Sequence, residues 1–238
     1  MTVDILAIGA HPDDVELGCG GTLLKHLAAG YSAAIVDLTR GELGTRGNAD
    51  IRLLEARAAA DVLGITERLN LEMRDGFFPD DEVHVLEIVS HIRFFQPKII
   101  LAPALSDRHP DHGRAAALVK KAVFLAGLQK VESAWHAREQ KPWRTHLLLH
   151  YIQDQYHMPN IALDISDFFE QKMKAVQCFK SQFFNPASDE PETPISIPGY
   201  LDALKARALE YGRPIGVRYA EGFVASRLIG LDDLMLLK

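Results

Sequence analysis

The chain has 238 residues, enough for one α/β domain or two small ones, and hydrophobic residues make up 47% of it, enough to bury a full core. Charged residues account for 24%, a globular share that excludes a disordered chain and a collagen-like fibre. The formal net charge of −6 argues against non-specific nucleic-acid binding, which requires a basic surface.

The chain contains two cysteines, Cys19 and Cys178, which are too few for a disulfide scaffold and fit a reducing compartment. Its N-terminal segment lacks the basic region and the uninterrupted apolar run of a signal peptide. No stretch of the sequence approaches the roughly 18 apolar residues of a membrane helix. These features predict a cytoplasmic protein that binds neither membranes nor nucleic acid.

The first half of the chain alternates short apolar runs with helical patterns. Buried strands are predicted at residues 3–8, 33–38, 68–72 and 98–102, and helices at residues 21–29, 50–63, 82–95 and 111–128. This β-α-β-α order, with apolar strands, is typical of a parallel sheet covered by helices on both faces. We therefore predict an α/β, Rossmann-like fold.

The second half of the chain is less regular. Strands are predicted at residues 147–152, 160–165 and 221–225, and helices at residues 167–179 and 200–211. Residues 185–199 are rich in proline, serine and acidic residues and predict a long surface loop, a kind of segment that is often functional. With no visible linker, we predict one domain over residues 1–238, Rossmann-like to about residue 130 and mixed from about residue 131.

Histidine and aspartate occur together in two loops that follow predicted strands. Ala-His-Pro-Asp-Asp (10–14) follows the first strand, and Ser-Asp-Arg-His-Pro-Asp-His (106–112) follows the fourth. In open α/β sheets, ligands bind beyond the carboxyl ends of the strands. Imidazole and carboxylate are ligands for zinc, nickel and ferrous iron. Either loop alone could be a structural turn or a helix cap, but the pair predicts a metal site.

The residues of these loops suggest separate roles. A catalytic zinc uses three protein ligands and leaves a position for water, and His11, Asp14 and His112 would supply nitrogen, oxygen and nitrogen donors. Asp13 is then left as the candidate general base. His109, if protonated, could stabilise an oxyanion or protonate a leaving amine, and Asp111 could hold that imidazole in its cationic form.

Three stretches together resemble the signature of the LmbE-like, or PIG-L type, zinc-dependent de-N-acetylases. They are Ala-His-Pro-Asp-Asp (10–14), Glu-Leu-Gly-Cys-Gly-Gly-Thr-Leu (16–23) and His-Pro-Asp-His (109–112). Residues 38–47, 52–55 and 219–223 are also similar to family sequences. Within the family, these stretches are most similar to the bacillithiol-biosynthesis deacetylases. The resemblance extends from about residue 3 to residue 223.

The resemblance implies the same roles that the residues of the two loops suggest. His11, Asp14 and His112 would bind zinc, and Asp13 would be the general base. His109, modulated by Asp111, would stabilise the tetrahedral intermediate. Ferrous iron is a possible substitute for zinc, because imidazole and carboxylate accept both ions. Family members often associate, so a homo-oligomer is also expected.

Three further residues are candidates for contact with the substrate. Arg52 matches a family arginine associated with substrate binding, although an ion pair with Glu55, three residues on, would be a purely structural role. Arg108, in the second loop, is another candidate for substrate binding. Tyr200 matches a family tyrosine that leans over the metal, and it would be either an oxyanion donor on a mobile lid or a core aromatic.

These residues predict hydrolysis of the N-acetyl group of an N-acetylglucosamine conjugate. The resemblance favours N-acetylglucosaminyl malate of bacillithiol biosynthesis as the substrate, and Arg40 and Arg46 would suit its carboxylates. Alternatives are a deacetylase or amidase for a chito-oligosaccharide, a glycolipid head group or a thiol conjugate, and a non-catalytic sugar- or nucleotide-binding protein. The glycines of residues 18–21 lack the G-x-G-x-x-G spacing, which argues against a dehydrogenase.

Overall fold

The structure is a computed structural model that describes residues 1–236. The strands are β1 (Ile5–Gly9), β2 (Ala33–Thr39), β3 (Arg68–Met73), β4 (Ile99–Ala102), β5 (Ala134–Trp135), β6 (Arg138–Glu139), β7 (Leu147–Tyr151), β8 (Ile161–Asp164) and β9 (Ala220–Ala225). The α-helices are α1 (Asp14–Ala28), α2 (Ala49–Leu63), α3 (Glu82–Phe95), α4 (Pro110–Ala126), α5 (Phe169–Val176) and α6 (Tyr200–Gly212). Three short 3₁₀ helices lie at Ser166–Phe168, Arg213–Ile215 and Leu234–Leu236.

Seven strands form one sheet in the order β3-β2-β1-β4-β7-β9-β8. Strands β1, β2, β3, β4 and β7 are parallel, whereas β9 is antiparallel to both of its neighbours. The Rossmann-like prediction and the mixed second half are thereby confirmed. The strand order changes direction between β1 and β4, which is where open α/β sheets bind their ligands.

Strand β1 explains why the sheet is covered on both faces. Its residues alternate between two hydrophobic clusters: Leu6 and Ile8 pack with the side chains of α3 and α4, whereas Ile5 and Ala7 pack with those of α1 and α2. An uninterrupted apolar run is therefore what this central strand needs. Among the helices of residues 1–236, none combines the length and apolar character that a membrane crossing requires.

Helix α1 begins at Asp14, seven residues before the predicted start. It contains a break at Cys19, whose φ of −146° is not helical. Packing requires two glycines of this helix: a Cβ on Gly18 would lie 2.3 Å from Cδ2 of Tyr151, and one on Gly21 would lie 2.8 Å from Cδ1 of Ile165. Tertiary contacts therefore outweigh local helix propensity here.

Two other predictions differ from the structure. The helix predicted at residues 167–179 is a 3₁₀ turn followed by the shorter helix α5. The two-stranded hairpin β5–β6 was not predicted, since each of its strands contains only two residues. Residues 185–199 contain neither helix nor strand, which confirms the predicted loop.

Candidate active site and metal centre

The two loops rich in histidine and aspartate meet at the carboxyl ends of β1 and β4. These strands are parallel neighbours, with Ala7 paired to Leu101. A cavity of about 290 Å³ opens at this point and is lined by residues of both loops. The two loops therefore line one cavity, as the strand-end rule predicts.

Asp13 joins β1 to α1 in an unusual backbone conformation. Its φ of 122° lies in a region that residues other than glycine rarely adopt, at a cost of about 1–3 kcal/mol. The turn is held by two hydrogen bonds: the His11 N–H donates to Oδ2 of Asp14 at 2.8 Å, and the Asp14 N–H donates to the His11 carbonyl at 3.3 Å. Asp14 thus closes the loop and does not cap the helix.

The structure brings the three predicted metal ligands together. Nδ1 of His11 lies 3.5 Å from Oδ2 of Asp14, and Nε2 of His112 lies 3.2 Å from Oδ1 of the same carboxylate. All three residues are less than 10% exposed. Although burial opposes ionisation, the two histidines hold the pKa of Asp14 well below its usual range. The group therefore presents an ionised oxygen ligand between two imidazole nitrogens.

The outward-facing nitrogen of each histidine is held by a carboxylate. Nδ1 of His112 lies 2.5 Å from Oδ2 of Asp107. Nε2 of His11 lies 3.1 Å from Oδ1 of Asp75 and 3.4 Å from Oδ2 of Asp111. Metal-binding histidines in proteins are oriented by this kind of carboxylate partner. The donor set and its surroundings therefore fit a divalent metal ion.

Other combinations in the same place have metal-binding spacing. Ligand atoms of His11, His109 and His112 lie within 4.8 Å of one another, and so do those of His11, Asp75 and Asp111. The second combination meets at Nε2 of His11, the nitrogen that faces away from Asp14, and its two carboxylates are the ones that orient that imidazole. The first combination brings a ring nitrogen of His109 within this spacing of His11 and His112.

The contact that was expected to keep His109 cationic is not formed within the described residues. The Asp111 carboxylate accepts hydrogen bonds from the Gly76 N–H at 2.7 Å and from Arg114 at 2.7 Å, and it contacts His11. The His109 ring instead accepts a hydrogen bond at Nδ1 from the Asp111 backbone N–H. Burial and the neighbouring His11 and His112 lower the pKa of His109. A neutral His109 carries its proton on Nε2.

Asp13 is placed beside the three ligands and is paired with Arg52. Nη2 of Arg52 lies 3.3 Å from Oδ2 of Asp13 and also donates to the Pro12 carbonyl. Burial raises the pKa of Asp13 to about 7, and the Arg52 charge opposes that rise. Arg52 and Glu55 form no ion pair with each other among the described residues, and Glu55 instead accepts hydrogen bonds from the backbone and hydroxyl of Ser181, both at 2.7 Å.

The other predicted residues lie around the cavity. Tyr200, the first residue of α6, lines it and stacks on Phe183 with 5.9 Å between ring centroids. Burial raises the pKa of Tyr200. Arg108 lines the rim, and its Nε lies 2.5 Å from Oδ2 of Asp154. Arg40 and Arg46 are not among the residues that line this cavity in the described part of the chain.

Gln153 is a site residue that the sequence analysis missed. Its Nε2 donates to Oδ1 of Asp14 at 2.8 Å and lies 3.1 Å from Nε2 of His112, while its Oε1 accepts from the Ala104 N–H. Its position two residues after β7, at the same sheet edge as the two loops, is the feature from which it could have been predicted. Asp75 was missed in the same way, two residues after β3.

The outer wall of the cavity comes from three other segments. It is lined by the loop after β2, by the long loop predicted at residues 185–199 and by α6, through Leu43, Gly44, Thr45, Thr193, Pro194, Ile195 and Arg207. The wall therefore places apolar residues, a glycine and an arginine around the carboxylates and histidines of the two loops.

Residues 6–123, which include both motif loops, match the family model described as "PIG-L: GlcNAc-PI de-N-acetylase". The chain is 33% identical over 228 residues to the diacetylchitobiose deacetylase of Thermococcus kodakarensis, and the alignment covers 92% of this chain and 81% of that protein. Two solved structures are also similar. The conserved protein TT1542 from Thermus thermophilus aligns with a TM-score of 0.85 and 36% identity, covering 97% of this chain and 98% of that chain.

The second solved structure is the N,N′-diacetylchitobiose deacetylase from Pyrococcus horikoshii. It aligns with a TM-score of 0.78 and 28% identity, covering 93% of this chain and 82% of that chain. Similarity over most of both chains, together with the family match through both motif loops, shows that this chain belongs to the PIG-L family of de-N-acetylases.

Proposed function

We propose that this de-N-acetylase removes the acetyl group of N-acetylglucosaminyl malate with a bound zinc ion. The observation that carries the proposal is the Asp14 carboxylate between His11 and His112, with Asp13 beside it and paired with Arg52 instead of a histidine. This arrangement separates a set of metal ligands from a carboxylate that is free to move a proton.

His11, Asp14 and His112 would hold the metal ion. When bound, the ion supplies Lewis-acid chemistry: it polarises the acetyl carbonyl and lowers the pKa of the attacking water. Nitrogen and oxygen donors suit zinc, and ferrous iron would accept the same set. Asp107 and Asp75 keep the ligating imidazoles oriented through their outer nitrogens.

Asp13 moves the proton in the proposed reaction. Its carboxylate accepts a proton from the attacking water and then delivers it to the nitrogen as the C–N bond breaks, so that acetate and a free amine leave. A carboxyl whose pKa is raised to about 7 can both accept and return a proton near neutral pH. Arg52 fixes the direction of this carboxylate through the contact of its Nη2 with Oδ2.

His109 and Tyr200 are proposed to stabilise the oxyanion of the tetrahedral intermediate. Both line the cavity, and a neutral His109 has a donor at Nε2 because its Nδ1 accepts the Asp111 N–H. Burial raises the pKa of Tyr200, so its hydroxyl keeps its proton and can donate a hydrogen bond. This replaces the cationic role first expected for His109 with a neutral one.

The size of the cavity and the arginines in its lining support a glycoside with an acidic aglycone. A volume of about 290 Å³ exceeds the needs of an acetyl group, and Arg52, Arg108 and Arg207 are all in its lining. A neutral chito-oligosaccharide is the second candidate, because the relatives from Thermococcus kodakarensis and Pyrococcus horikoshii are named for diacetylchitobiose.

The test is release of free amine from both substrates by the purified protein, with the metal content measured on the same sample. We expect turnover of N-acetylglucosaminyl malate that a chelator abolishes and zinc restores. Turnover of diacetylchitobiose alone would keep the deacetylase and reject the malate conjugate. A protein that binds no metal and releases no amine would refute the metal-dependent reaction and favour a sugar-binding role.

A further inference from the structure

The cavity is lined by three arginines, of which only one lacks an acidic partner. Arg52 is paired with Asp13, and Arg108 is paired with Asp154. Arg207 makes no side-chain hydrogen bond and no ion pair with any residue from 1 to 236. A half-buried guanidinium without a counter-ion offers several donors in a fixed plane, which match the geometry of a carboxylate.

Arg207 lies on the same face of α6 as Tyr200. Seven residues separate them, which corresponds to about 10 Å along a helix axis and two turns. The positive charge of Arg207 lowers the pKa of Tyr200 against the effect of burial, so the guanidinium is near enough to act on that ring. One helix face therefore presents a hydroxyl donor close to the reacting carboxylates and a cation farther along the cavity.

We propose that Arg207 binds a carboxylate of the substrate's aglycone and determines the preference for an anionic over a neutral glycoside. This inference rests on the proposed function. The acetyl group occupies the metal end, and the sugar fills the space beside Tyr200. The aglycone then lies where α6 presents Arg207. Because the other two arginines are already neutralised by aspartates, an added carboxylate gains most from Arg207.

The test compares Arg207→Gln with Lys205→Gln, which removes an exposed positive charge from the same helix. The measured quantity is the ratio of kcat/KM for N-acetylglucosaminyl malate to kcat/KM for methyl N-acetylglucosaminide. We expect this ratio to fall about 10- to 100-fold in Arg207→Gln, mainly through KM, and to stay unchanged in Lys205→Gln. Arg207→Lys should recover part of the ratio because it keeps the charge.

A ratio that changes less than twofold in Arg207→Gln would overturn the inference, and so would an equal loss for both substrates, which would indicate a structural role. Calorimetric binding of the product glucosaminyl malate, compared with the product methyl glucosaminide, gives a second readout that requires no turnover. A wild-type protein that deacetylates only the neutral glycoside and binds both products equally would refute the role of Arg207 while leaving the deacetylase intact. Loss of all turnover with retained discrimination between the products would refute the proposed reaction and leave Arg207 supported.

Discussion

Replacing Glu221 with glutamine removes the negative charge that balances the buried side chain of Lys172. One oxygen of Glu221 accepts from Nζ of Lys172 at 2.6 Å and from the Gly21 N–H at 2.9 Å; the other accepts from the backbone and hydroxyl of Thr22 at 2.7 and 2.6 Å. Those backbone N–H groups follow the break at Cys19, so Glu221 acts as the cap of the second part of α1. Lys172 and Glu221 are each about 3% exposed.

The expected cost is large because the glutamine cannot compensate the charge. Breaking a buried ion pair from one side costs about 3–5 kcal/mol, since the remaining charge stays desolvated. The amide NH2 would also replace an oxygen that now accepts hydrogen bonds from two of the four donors around the carboxylate. We therefore expect Glu221→Gln to lower the free energy of unfolding by about 3–5 kcal/mol, a large part of the about 5–15 kcal/mol of a typical domain.

The assay is urea unfolding of the wild-type protein, of Glu221→Gln, of Lys98→Gln, and of Lys172→Met alone and combined with Glu221→Gln. Lys98→Gln breaks an exposed pair with Asp4 and should leave the free energy of unfolding nearly unchanged. Adding Lys172→Met to Glu221→Gln removes the stranded cation and should give a coupling energy of at least about 1 kcal/mol. A Glu221→Gln variant as stable as Lys98→Gln, or strict additivity in the cycle, would refute this reasoning.

Three further predictions concern packing, the metal site and pH. Gly18→Ala should destabilise the protein by about 1–3 kcal/mol, because the added Cβ would overlap the fully buried Tyr151 ring. Gly20→Ala should cost far less, because the nearest atom to its added Cβ is 3.6 Å away. Equal melting temperatures of the two variants would contradict this prediction. Asp107→Asn should weaken metal affinity about 10- to 100-fold by releasing the outer nitrogen of His112, and an unchanged Kd for zinc by competition titration would count against that role. Burial raises the pKa of Asp13 to about 7, and only the ionised carboxylate accepts a proton, so kcat/KM should rise with pH up to about 7. A bound cation would shift this rise to lower pH, because it favours the ionised carboxylate. A kcat/KM that does not change with pH on the acidic side would argue for another base.

The fold and the centre of the site could be predicted because they depend on local patterns. The run at β1 is apolar on both faces, which is what a central parallel strand requires, and its end carries His11 and Asp14. The strand-end rule then places His112 beside them, although it is distant in sequence. These features are visible in the residues themselves or follow from a general rule of topology.

Contacts between distant segments could not be predicted in this way. Asp75 contacts His11 across 64 positions, and Gln153 contacts His112 across 41, and neither lies in a motif that marks it. The early start of α1 also depends on distant partners, because Glu221 caps its second part and Tyr151 fills the space at Gly18. Local propensity favours a later start, and only the assembled sheet reverses that preference.

The most direct test of the proposed reaction is the metal content and the deacetylation rate of wild-type protein, Asp13→Asn and Asp14→Asn, prepared in parallel. We expect wild-type protein and Asp13→Asn to bind the metal equally and Asp14→Asn to bind it poorly. Asp13→Asn should nevertheless lose about 10²- to 10⁴-fold in kcat, the share typical of a general base. Loss of metal from Asp13→Asn, or turnover close to the wild-type rate, would contradict the separation of ligands and base on which the proposed reaction depends.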